Sequence, residues 1–168
     1  GVNSWGSRIL APRIDRIAFA ATKADHLPRA SHDRLEQALT LLTDRAMARA
    51  RYAGADIKVL ALAALRATRE AEVRQGNEIL PCIAGTPLAG ERLDREVFDG
   101  RREVVIFPGD LPADPAAALA GGRSGDVRIV RFAPPRIVAA TGSQIEAAAW
   151  PHIRLDRTLE FLIGDRLR

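Results

Sequence analysis

The sequence predicts an α/β fold: a βαβ unit with parallel strands, then a β-rich extension and a closing helix. Three observations predict it. Two short, mostly apolar runs, residues 14–21 and 57–64, read as strands covered on both faces. Between them lies a long stretch of helical periodicity, the crossover that parallel strands require. Beyond Gly76 the pattern changes to short apolar runs punctuated by glycine, proline and aspartate, the spacing of hairpins.

Each element follows in order. Residues 1–13 contain Asn3, Ser4, Gly6, Ser7 and Pro12 and read as loop. The first strand ends in a polar turn, residues 22–28, where open α/β sheets place ligands. A helix is expected from Ser31 or Asp33 to Ala53, with Asp33 and Glu36 forming a capping box. Its apolar stripe is Leu35, Ala38, Leu39, Leu42, Ala46, Ala50 and Ala53, and Gly54 supplies a left-handed cap. Strand, helix and strand make a right-handed βαβ unit. The second strand ends in a turn, residues 65–70, beside the first. Further strands are expected at 79–84, 104–107 and 127–132, a short helix at 114–120 and a last helix at 155–163. Residues 134–151 carry no assignment. Residues 1–75 are read as one part, built on the βαβ unit, and 76–168 as a β-rich extension with the closing helix.

Composition bounds the function. The chain has 168 residues, 47% hydrophobic and 27% charged, the profile of a globular protein with a core. No apolar run approaches the roughly 20 residues of a membrane span. Cys82 is the single cysteine, which forbids an internal disulfide and makes the cytoplasm the expected compartment. Only Lys23 and Lys58 are lysine; the other 23 basic residues are arginine, scattered among acids. With a formal charge of only +4, that scatter argues against nucleic acid as a partner. The opening Gly1-Val2-Asn3, with Met47 the sole methionine, leads us to expect a carboxy-terminal piece of a longer protein.

Chemistry concentrates in Thr22-Lys23-Ala24-Asp25. The plainer reading is a polar loop in which Asp25 only turns the chain ahead of Pro28. A carboxylate there can also accept two parallel hydrogen bonds from guanine, at N1–H and the exocyclic amine. Adenine would present a lone pair instead. A mispaired buried polar group costs about 1–3 kcal/mol, enough for a roughly ten- to hundred-fold preference. The Lys23 stem can lie along the base while its ammonium reaches the ribose.

Five strings then carry a family resemblance: RIDRIAFAATKADHL (13–27), RATREAE (66–72), LPCIAGTPLAGE (80–91), FPGDLP (107–112) and HIRLDR (152–157). The chain resembles the carboxy-terminal portion of the YcjX-like family of bacterial P-loop GTPases. That resemblance implies that residues 1–75 are the carboxy-terminal half of a P-loop NTPase-like parallel sheet in a GTPase-like nucleotide-binding domain. It also implies GTP or GDP binding, with Thr22, Lys23 and Asp25 matching the guanine-specificity motif. Ala64, Leu65 and Arg66 match the looser motif that completes the base pocket. Thr22 stands where most GTPases have Asn, and Ala64 where Ser is more usual. No G-x-x-x-x-G-K-[ST] sequence is present, so the phosphate cradle and Mg²⁺ are expected only in a full-length protein. Hydrolysis by this stretch alone is not expected.

Other candidates read as structure. Cys82 sits in an apolar run without an activating base. His26, His32 and His152 lack metal-ligand spacing. Residues 85–90 have glycines but no lysine or following helix, and read as a turn. Arg66 and Arg69 could pair with Glu70 and Glu72 at helical spacing or meet a partner. The competing reading is a non-enzymatic, Arg-rich α/β interaction module that binds an acidic protein or nucleic acid; a protein partner stays open.

Overall fold

The structure, a computed structural model, describes residues 14–121, 127–135 and 150–167. Strands β1 (Arg16–Ala21) and β2 (Asp56–Ala61) run parallel, in register from Arg16 opposite Asp56 to Ala21 opposite Ala61. Helix α1 (His32–Tyr52) connects them and packs on both. Gly54, at φ +84°, takes the left-handed turn that leads into β2.

The capping box does not form. Helix α1 begins at His32 after Ser31, with no side-chain cap. Glu36 reaches across to β2 instead, where Oε1 accepts the Ala61 N–H at 2.8 Å and pairs with Arg154. A peptide N–H at an open sheet edge and a guanidinium together outbid the helix's own first turn, whose donors water can satisfy. The expected stripe also shifts. Met47 is buried, whereas Leu42 is 67% exposed and Ala46 faces outward. Two strands, each about 5 Å wide, are narrower than that apolar arc.

Helix α3 (Leu155–Ile163) covers the other face of the pair. The Lys58 ammonium lies over the Phe161 ring of α3, 5.5 Å from its centroid. Val59, pointing oppositely, lines a cavity together with Glu36, Gln37 and Thr40 of α1. Arg16 and Asp165 close the bottom of this layer with a 2.5 Å ion pair.

The remaining strands are antiparallel. The hairpin β3 (Arg69–Gln75) and β4 (Glu78–Gly85) turns at Gly76, φ +63°. Strand β7 (Val104–Ile106) joins the far side of β4, and a two-residue pair, β5 (Arg92–Leu93) and β6 (Glu96–Val97), lies apart. Strand β3 occupies residues read as turn and charged helix-like spacing. Its Arg69 pairs not with Glu72 but with Glu103, at 2.7 Å. Residues 127–132 form no strand; Phe132 alone bridges to Pro87. This half has its own core of Ile83, Phe98, Ile106, Val130 and Phe132. Helix α2 (Pro115–Leu119) is capped by Asp114, whose Oδ1 accepts the Ala117 N–H.

The fold class is therefore as expected: mixed α/β, with a parallel pair, antiparallel sheets and a carboxy-terminal helix. Among the described residues no helix is long and apolar enough to cross a membrane. Trp5, the first-loop residues and most of 134–151 lie outside the described residues.

Candidate functional site

Because β1 and β2 are parallel neighbours, the chain leaves both at the same edge of the sheet. The loop after β1 carries Thr22, Lys23 and Asp25; the loop after β2 carries Ala64, Leu65 and Arg66. The two are tied together by backbone. Leu62 N–H donates to Ala21 O at 2.8 Å and Ala24 N–H to Leu62 O at 3.1 Å.

Lys23 sits at φ +59°, ψ +36°, a left-handed conformation that costs a non-glycine residue about 1–2 kcal/mol. It turns the chain into the short 3₁₀ turn Ala24–His26. Consequently Thr22 and Lys23 stay exposed while Ala24 and Asp25 go inside. Among the described residues, no hydrogen bond or ion pair engages the Thr22 or Lys23 side chain.

Asp25 is 4% exposed and holds the second loop twice. Its carboxylate Oδ2 accepts the Ala67 N–H at 2.9 Å, and its carbonyl accepts the Thr68 hydroxyl. His32 fastens the same turn from α1. Its Nε2 lies 2.9 Å from Ala24 O and 3.3 Å from Leu27 O. Both partners are carbonyls, so Nε2 carries the proton. His26 stacks edge-on against Phe132, centroids 5.5 Å apart, which joins the turn to the antiparallel core. Burial pulls the His26 imidazole below its ordinary pKa; Asp25 works against that shift and Lys23 with it.

The second loop is occupied from outside. Ala64 is exposed, but its carbonyl accepts the Trp150 indole N–H at 2.7 Å. Ala63 exchanges backbone hydrogen bonds with Ile153, and Arg66 N–H donates to Pro151 O at 2.7 Å. The Arg66 N–H is thus already engaged within the chain. Leu65 is half-buried. The Arg66 side chain pairs with Glu70 at 3.0 Å, away from Asp25. Ala67 and Thr68, which grip Asp25, were not singled out by sequence. Their partner lies more than forty positions away, and no local pattern announces it.

A family model described as the YcjX-like family, DUF463, matches residues 1–167. The chain belongs to the YcjX-like family. It is 33% identical over 171 residues to a protein named Ras-like GTPase YcjX from Shewanella oneidensis, which covers 99% of this chain and 31% of that protein. To the protein of the same name from Escherichia coli K12 it is 32% identical over 163 residues, covering 96% and 31%. The chain therefore spans 31% of the length of either relative. Membership of the YcjX-like family is what the five strings led us to expect.

Proposed function

We propose that this YcjX-like chain supplies the guanine-reading part of a GTPase, with Asp25 as the discriminating group. The observation that supports it most is the anchored Asp25 carboxylate at the carboxyl edge of a parallel pair. Two carboxylate oxygens offer about four acceptor positions, and Ala67 uses one of them. The remainder match the N1–H and exocyclic amine of guanine. Because Asp25 is buried, the base must press in beside the turn, with the exposed Lys23 stem against its face and Thr22 steadying the loop. Ala64, Leu65 and Arg66 would line the other side, Arg66 through its stem because its N–H is already engaged.

In this reading residues 1–75 form the base-binding half and residues 76–168 the extension that braces it through Phe132 against His26. GTP or GDP is the ligand. The phosphate cradle and Mg²⁺ are proposed for the full-length protein. Hydrolysis is a property proposed for the full-length protein, with a cytoplasmic setting. The test is the nucleotide preference of Asp25→Asn in that protein. The variant should turn from GTP toward XTP, whose C2 carbonyl accepts the hydrogen bond that an amide can donate. An unchanged preference contradicts the reading.

A further inference from the structure

A cleft lies between the segment after the Asp25 turn, residues 66–70 and the start of α3. It measures about 300 Å³ and is lined by Arg29, His32, Arg66, Glu70, residues 152–154, Asp156 and Arg157. Four arginines face two carboxylates, and the first turns of α1 and α3 both open onto it.

The pairing within the cleft leaves donors over. Glu70 is spent on Arg66 and on the Arg29 backbone N–H, at 3.0 and 3.1 Å. Arg154 is held by Glu36. Among the described residues, the Arg29 and Arg157 guanidinium groups have no ion pair. Two side-chain atoms among those residues are buried without a hydrogen-bond partner, Arg66 Nε and His152 Nδ1, and both belong to this lining. His152 Nδ1 stands 3.9 Å from Asp156, too far for a hydrogen bond. Arg66 Nε–H is necessarily a donor, and a buried donor left unengaged in a cationic cleft points to an acceptor from outside the chain.

We propose that this cleft binds a small soluble phosphoryl anion, of inorganic phosphate or diphosphate size, in addition to the guanine nucleotide, with the Arg66 stem lining the proposed base pocket and its guanidinium facing the cleft. Guanidinium forks match tetrahedral oxyanions bidentately, and two helix N-termini add positive potential. Such an anion supplies acceptors to Arg29, Arg157 and the unspent Arg66 donor.

The test is calorimetric titration of sodium pyrophosphate into the full-length protein with saturating GDP, so that any nucleotide site is already filled. Saturable binding is expected, weakened about tenfold or more in Arg29→Ala/Arg157→Ala. In the wild-type protein the Arg66 Nε–H resonance, assigned through Arg66→Lys, should shift during the titration. Absence of binding at millimolar pyrophosphate, or equal binding by the double variant, overturns the proposal. If the variant does not fold, the wild-type resonance decides: movement supports the site and a static peak overturns it. Co-sedimentation with phosphatidate vesicles, without binding of free pyrophosphate, also overturns it. Because GDP is present throughout and neither Arg29 nor Arg157 belongs to the base site, failure here leaves the guanine reading intact.

Discussion

The Asp25 carboxylate and the Ala67 backbone N–H meet at 2.9 Å across 42 residues. That bond fixes the turn after β1 to the segment that enters β3. It couples the proposed base site to the antiparallel half, because Ala67 also packs against the core of Ile83 and Phe132. The carboxylate is therefore proposed to serve two partners, a peptide N–H and a base edge.

Stability should register the first role. Asp25→Ala strips the acceptor from the Ala67 N–H and is expected to cost about 1–3 kcal/mol, read as a lowered urea midpoint. Asp25→Asn keeps a carbonyl acceptor and should cost less. Equal losses in the two variants would mean that Ala67 finds another partner.

Gly85 tests the brace from the other side. A Cβ there would lie 2.8 Å from Phe132 Cδ1 and 3.2 Å from Ala67 O. Gly85→Ala must displace the ring or the loop, and is expected to destabilise by about 1–3 kcal/mol. It should also weaken guanine-nucleotide binding in the full-length protein, since Ala67 positions Asp25. Lost stability with undiminished affinity would separate the core from the site.

The stability of the His26 contact should depend on pH. Burial depresses the folded-state pKa of His26 below its ordinary 6.5, so the unfolded chain binds the proton more readily. This contribution is complete above pH 6.5 and is lost as pH falls through the lower folded value. His26→Phe keeps an edge-on ring against Phe132 and should flatten that part of the profile. Parallel wild-type and variant curves of melting temperature against pH would contradict the assignment.

Cys82 is 1% exposed in β4, and burial raises its thiol pKa. It should react with a thiol reagent only when the chain opens, at a rate that rises with denaturant. Prompt labelling of the native protein would contradict its placement.

How much of this could be read from the sequence depended on where each residue's partner lay. Helix α3 matched residues 155–163 because its apolar spacing faces one layer. Strands β1 and β2 were found from apolar runs, though β2 ends at Ala61, three residues early, where the chain turns to pair with the carboxy-terminal segment. Strand β3 was hidden because Arg69, Glu70, Glu72, Val73, Arg74 and Gln75 are all exposed, so no buried face imposed alternation. Glu36 was misread because its partners, Ala61 and Arg154, are remote in sequence. Thr22, Lys23 and Asp25 stood out as a motif. Ala67, Thr68 and the arginine cleft did not, since only the fold brings them together.

Nucleotide competition measures the central claim most directly. In the full-length protein, the ratio of GTP to XTP affinity should favour GTP in the wild type and move toward XTP by about ten- to hundred-fold in Asp25→Asn. A ratio that stays put while the variant remains folded would show that Asp25 holds the turn and reads nothing.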